Sequence, residues 1–185
     1  MRIFLIRGLV AITWAVVFAA VSNSLTTGVT VGAEVLLVLY PLIDAIASLI
    51  DARTQGGSAR QLLLANTAVS TVTAIALGVA ATGTVADVLL VFGIWAGVTG
   101  AAQLVVVLRR RAEFGNQWPL LLANGVSVIG GIAFVTAAIA ANDPRLSMLA
   151  IYAATGGTEF VIQAWLLARR RRRTAHHANP ILSAS

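Results

Sequence analysis

Six stretches of this chain are each about twenty residues long and almost free of charge, the length an α-helix needs to cross a bilayer. Their approximate limits are 3–21, 31–50, 61–81, 85–108, 118–140 and 146–168. Lipid offers no partner for an unpaired backbone group, so each stretch is predicted to be a helix. The alternation of polar and apolar residues that marks a barrel strand is absent from them. Hydrophobic residues make up 58% of the chain and charged residues 11%, against roughly 25% charged in a soluble domain. The expected fold class is therefore an all-α membrane protein. A six-helix transmembrane domain spans 1–173, and 174–185 forms a polar tail. The chain has no cysteine, which excludes disulfides, thiolate metal ligands and a cysteine nucleophile.

The net charge of +6 is carried by 13 basic residues, all of them arginine. Their placement sets the expected topology. Arg2 and Arg7 precede or begin the first span, and Arg53 and Arg60 separate the second from the third. Arg109, Arg110 and Arg111 follow the fourth, and Arg169, Arg170, Arg171, Arg172 and Arg173 follow the sixth. Only Arg145 falls on the other side. Both termini are thus predicted to be cytoplasmic, with short outer connections at "SNSLTTG", "ATGT" and "ANDPR". Arg7 interrupts the first apolar stretch, which argues for a retained helix over a cleaved signal peptide. The five-arginine run reads as a topology anchor that meets anionic lipid headgroups. Arginines that abut apolar segments argue against a nucleic-acid partner, since a nucleic-acid face interleaves them with polar and aromatic residues.

The spans repeat in pairs. First helices read "FLIRGLVAI", "LLLANTAVS" and "LLLANGVSV", which aligns Arg7, Asn66 and Asn124. Second helices read "YPLIDAIAS", "WAGVTGAAQ" and "TGGTEFVIQ", each followed by arginine. One register aligns Asp44, Thr99 and Glu159, and Ser48, Gln103 and Gln163. Another aligns Tyr40, Trp95 and Tyr152 and shifts the third copy by three residues. Both stand on the sequence alone. Spacing of i, i+4, i+8 puts Tyr40, Asp44 and Ser48 on one helix face, and likewise Trp95, Thr99 and Gln103, and Thr155, Glu159 and Gln163. Span three offers Asn66, Ser70 and Thr73, and span five offers Asn124, Ser127 and Gly131. A polar stripe on an apolar helix should face protein. The architecture predicted is three antiparallel helical hairpins, about 1–53, 58–111 and 117–170, around a pseudo-threefold axis.

This pattern resembles the HdeD family of bacterial inner-membrane proteins, named for acid resistance in enteric bacteria. The resemblance is carried by Arg7–Gly8, by the arginine cluster followed by "NQWPLLLANGVSVIGGIAFV", and by "NDP" before the last span. Trp118, Gly125 and Gly130 fit the family's first helices. Trp95 with Gly100, and Tyr152 with Gly156 and Gly157, fit its second helices. The chain departs from it at Asn66–Thr67, where glycine is usual, and in a first outer loop without proline. The resemblance covers the chain to Arg173. It implies a six-helix inner-membrane protein, non-enzymatic, with a stress-related or acid-protective role in some members and no catalytic residues to carry over.

No phosphate loop, zinc helix, dinucleotide fingerprint or nucleophile elbow is present, and no cofactor is expected. His176 and His177 read as solvated tail residues. The "GIWAG" motif, Gly93 to Gly97, allows close helix approach, inside the bundle in preference to a dimer seam. The informative residues are charges within the spans. Glu34 and Asp87 lie near helix ends and are expected to reach interfacial water. Arg7 and Asp44 lie at similar depth on neighbouring helices and are expected to form an ion pair, since a paired charge costs less in lipid than an isolated one. Glu159 lies near mid-membrane. It is either a structural group, neutral or hydrogen-bonded to an inward polar group such as Asn66 or Asn124, or a titrating, proton-sensitive one. Three functions remain open: an HdeD-type stress protein, a small-solute or proton transporter or channel whose path the stripes line, and an accessory subunit of a larger membrane complex. A homo-oligomer is compatible with each.

Overall fold

In a computed structural model the described residues are 2–22, 29–109, 118–140 and 144–178, and they are all-helical. Six helices follow in order: α1 (Arg2–Ser22), α2 (Val31–Ala52), α3 (Gly57–Ala81), α4 (Val85–Arg109), α5 (Trp118–Ala140) and α6 (Ser147–Ala178). Among the described residues, four of them, α1 to α4, hold stretches long and apolar enough to cross a membrane, and α5 holds a shorter one, Asn124–Ala140. Many outward-facing residues on the helices are aliphatic, among them Val16, Val31, Ile75, Val79, Ile139 and Ile151, the last 69% exposed, and exposed threonines such as Thr71 and Thr136 bond back to their own helix. Such a surface suits hydrocarbon, and the protein is membrane-embedded. The expected connection "SNSLTTG" beyond Ser22, Arg110, Arg111 and 179–185 lie outside the described residues, as do the side chains of Arg109, Trp118, Arg170 to Arg173, His176 and His177. The helix of α6 continues past Arg173 to Ala178, into the segment expected as tail. Arginine and alanine are good helix formers, and cations complement the carbonyl end of a helix.

Helices adjacent in the chain run antiparallel to each other. Arg7 meets Asp51 while Trp14 meets Leu36. Asn66 meets Asp44 while Gly78 lies by Val38. Gly93 lies by Gly131 while Gly100 lies by Ser127. The start of α1, the α2–α3 turn, the end of α4 and the end of α6 therefore share one end of the bundle, here called the arginine end. Two turns are built for tightness. Gly57 opens α3 at φ +56°, a conformation that glycine alone adopts without strain. Between α3 and α4, Asp87 Oδ2 accepts from the Thr84 N–H at 2.8 Å and the Thr84 hydroxyl at 2.7 Å, capping α4. Asp87 thus has a defined task beyond contact with water, and Glu34 lies in the first turn of α2 behind the Thr30 cap, where a carboxylate complements the helix dipole.

The closest helix pairs are α2–α3, α4–α5 and α1–α6; the pairs α1–α2, α3–α4 and α5–α6 touch less. Small residues explain two of the close pairs. A Cβ on Gly8 would lie 2.7 Å from the Gly157 carbonyl oxygen, and one on Gly131 would lie 2.5 Å from the Gly97 nitrogen. The "GIWAG" glycines thus pack α4 onto α5 within the bundle, as backbones approach only where no side chain intervenes. Polar side chains join the third pair, α2–α3.

The arginine-poor half of the bundle is a dry core. Phe18, Leu37, Leu77, Val88, Leu89, Phe92 and Leu149 are fully buried there. Phe92 sits at its centre, with ring centroids 5.2 Å from Trp95 and 5.7 Å from each of Tyr40, Phe134 and Tyr152. Trp14 stacks on Phe18 at 4.6 Å. Its indole N–H donates to the Leu36 carbonyl at 2.7 Å. Pro41 within α2 supplies no N–H to Leu37, and this loosened turn is where α1 attaches.

Candidate functional site

On the arginine side of the aromatic cluster lies a cavity of about 180 Å³. Five helices line it. α1 gives Arg7, Ala11 and Trp14; α2 gives Tyr40, Asp44 and Ala47; α4 gives Trp95, Thr99 and Gln103; α5 gives Asn124 and Ser127; α6 gives Tyr152, Gly156, Glu159, Phe160 and Gln163. Seven of the nine polar residues aligned by the first register, Arg7, Asp44, Thr99, Gln103, Asn124, Glu159 and Gln163, thus meet in one space. The other two, Asn66 and Ser48, are bonded to each other behind the wall and support it.

Asp44 is the best-held of the polar groups. Its Oδ2 accepts from Asn66 Nδ2 at 2.7 Å and from Ser70 Oγ at 2.9 Å. Asn66 also donates to Ser48 Oγ at 2.9 Å. Ser70 in turn accepts from Trp95 Nε1 at 3.0 Å. The chain Trp95–Ser70–Asp44–Asn66 ties α2, α3 and α4 together and leaves Oδ1 without a partner among the described residues. No buried side-chain oxygen or nitrogen among them lacks a hydrogen bond, so Oδ1 keeps accessible surface, and Asp44 borders the cavity.

The expected Arg7–Asp44 ion pair is not formed. Arg7 Nη2 instead meets Asp51 Oδ2 at 3.1 Å, with the two side chains 21% and 31% exposed. The reason is the direction in which helical side chains lean. Each Cα–Cβ bond tilts toward the helix N-terminus. On α1 that is the arginine end, so Arg7 reaches outward. On α2 it is the opposite end, so Asp44 leans inward while Asp51, nearer the helix end, leans back onto Arg7. Asp51 lies seven residues beyond Asp44 on the same face, and that spacing was the available signal for it. Asp44 then takes donors from α3, the helix closest to α2.

Glu159 has no hydrogen bond or ion pair with any described residue, so neither of the expected partners holds it. Asn66 is engaged by Asp44 and Ser48, and Asn124 lines the cavity. Gln103 and Gln163 line it too, free of hydrogen bonds to other described residues. Thr99 turns its hydroxyl back to the Trp95 carbonyl at 2.7 Å, satisfying itself within α4. Arg169 lies over the Trp165 ring at 3.8 Å on α6, a placement that suits an interfacial anchor.

The aromatic floor contributes residues that the spacing put on the right face without a role. Tyr40, Trp95 and Tyr152 border both the cavity and the Phe92 cluster. Trp95 donates to Ser70, and Tyr152 donates its hydroxyl to Ser127 Oγ at 3.1 Å. Each of these serines stands 25 positions before its aromatic partner. At the matching position before Tyr40 stands Ala15.

This space can hold a small solute against two carboxylates, several amides and aromatic rings. Compared with protein-family models, curated proteins and solved structures, the chain shows no match.

Proposed function

We propose that this is a small, non-enzymatic bacterial inner-membrane protein that admits a small polar solute to a cavity open toward the cytoplasmic, arginine-bearing side. The observation that carries the proposal is the convergence of five helices' polar residues on one cavity that stops at the Phe92 aromatic cluster. A docked subunit would use the lipid face, where the groove along α4 and α5 borders none of these polar residues. A channel would need a polar path through the arginine-poor half, where Leu37, Phe92 and Leu149 are fully buried.

In this reading all six helices span the membrane as three hairpins with pseudo-threefold symmetry. The paired aromatic–serine hydrogen bonds at equal spacing support that repeat, in the register that aligns Tyr40, Trp95 and Tyr152. The alternation of close and loose helix contacts around the bundle supports it as well. The resemblance to the HdeD family extends the proposal to a stress-related, acid-protective role, with Asp44 and Glu159 as the cavity's acidic groups.

The chain has no cysteine, so one introduced thiol reports alone. A Cβ at Gly156 or at Gly97 meets nothing within 4 Å. Gly156 borders the cavity and Gly97 an outer groove along α4 and α5. A membrane-impermeant thiol reagent should label Gly156→Cys from the cytoplasmic side only and leave Gly97→Cys unlabelled. Equal labelling of the two, or labelling of Gly156→Cys from the outside, would remove the proposal.

A further inference from the structure

The cavity carries more negative charge than its own residues neutralise. Arg7 borders it, but its guanidinium is engaged by Asp51 at 3.1 Å. That leaves Asp44, which receives only neutral donors, and Glu159, which has no partner among the described residues. Two carboxylates without counter-charges are costly at membrane depth. A cation in the cavity would remove that cost.

The walls indicate which kind of cation. Among the described residues no three His, Asp or Glu side chains converge to coordinate a metal ion, and a strongly hydrated metal ion needs such oxygen ligands. Here the carboxylates share the space with the rings of Trp14, Tyr40, Trp95 and Tyr152. Aromatic rings attract the weakly hydrated, spread charge of an alkylammonium. A volume of about 180 Å³ has room for several waters or for one small organic cation.

We infer that the cavity binds a small organic cation of the alkylammonium class, with Asp44 and Glu159 as counter-charges and Tyr40, Trp95 and Tyr152 around its alkyl groups. This rests on the cavity being open to water, the reading proposed above.

The test uses the full chain in lipid nanodiscs and tetramethylammonium chloride as the probe. Tryptophan fluorescence is titrated, with sodium chloride and sodium acetate at matched ionic strength as controls. Trp14 and Trp95 border the cavity, so a saturable change is expected with tetramethylammonium alone. Glu159→Gln, which disturbs no contact among the described residues, should weaken it about tenfold, the loss of one counter-charge worth about 1.4 kcal/mol. Tetramethylammonium should also slow thiol labelling of Gly156→Cys. An equal response to sodium chloride, or a saturable response to acetate, overturns the inference. So does tetramethylammonium binding that Glu159→Gln leaves unchanged. If Gly156→Cys labels from the cytoplasmic side but no saturable binding is seen, the cation is refuted and the open cavity stands. If it does not label, both fall together.

Discussion

The two halves of this bundle are made by the same six helices, yet they are different kinds of interior. Toward the arginine-poor end, rings and aliphatic chains interlock until Phe92 and Leu149 have no exposed surface. Toward the arginine end, carboxylates, amides and hydroxyls from five helices surround open space. In water the first arrangement would be held by the hydrophobic effect. In lipid that drive is absent, because acyl chains are as apolar as leucine, and close packing must supply the attraction. The dry half therefore contributes most of the close side-chain packing, while the walls of the open half are tied by the Asp44 hydrogen bonds and the Gly8–Gly157 approach.

Substitutions sharpen or break this division. The largest effect is expected at Phe92→Ala, whose ring meets four other aromatic rings. Loss of a buried ring from a tight core costs about 3–5 kcal/mol, measurable as a shift of the unfolding curve in mixed detergent. A loss below 1 kcal/mol would mean that the dry half does not supply most of the packing. Next comes Asp44→Ala, which strands the donors of Asn66 and Ser70 at about 1–3 kcal/mol. A double-mutant cycle should show Asp44 coupled to Asn66 and additive with Arg7, since Arg7 bonds Asp51. Coupling to Arg7 in place of Asn66 would reverse the assignment.

The sequence shows why that assignment needed the structure. The helices, their arginine ends and the polar stripe of Asp44, Thr99, Gln103 and Glu159 are legible from composition and from i, i+4 spacing. Seven of the nine aligned polar residues share a cavity for that reason. Partner choice is a different matter. Ser70 serves Asp44 and Trp95 only because α2 and α4 both approach α3, and no periodicity within one helix encodes which neighbour comes closest. The lean of side chains toward helix N-termini does discriminate between Asp44 and Asp51 as partners of Arg7. It is a rule of geometry that residue spacing leaves out.

Smaller effects are expected at the arginine end. Arg7→Leu removes an ion pair with partly exposed partners, worth about 0–1 kcal/mol, and unfolding at low and high salt should differ less in the variant than in the parent. Smallest of all is Glu159→Gln. With no partner lost among the described residues, its stability should stay within about 0.5 kcal/mol of the parent. A larger loss would show that Glu159 is a structural tie, and the contrast between a packed half and an open half would then fail at its most informative residue.

The pairing of Gly8 with Gly157 has a consequence for how the chain is made. α1 finds its closest companion in α6, roughly 150 residues later, on the order of ten seconds at ordinary rates of synthesis. Until then the small-residue face of α1 is left to lipid, and α2 turns toward α3 instead. The bundle is thus closed by a contact between α1 and α6 that forms only once α6 has been made. A chain released before α6 is complete keeps every earlier helix but has an open seam, the kind of defect that membrane quality control can recognise.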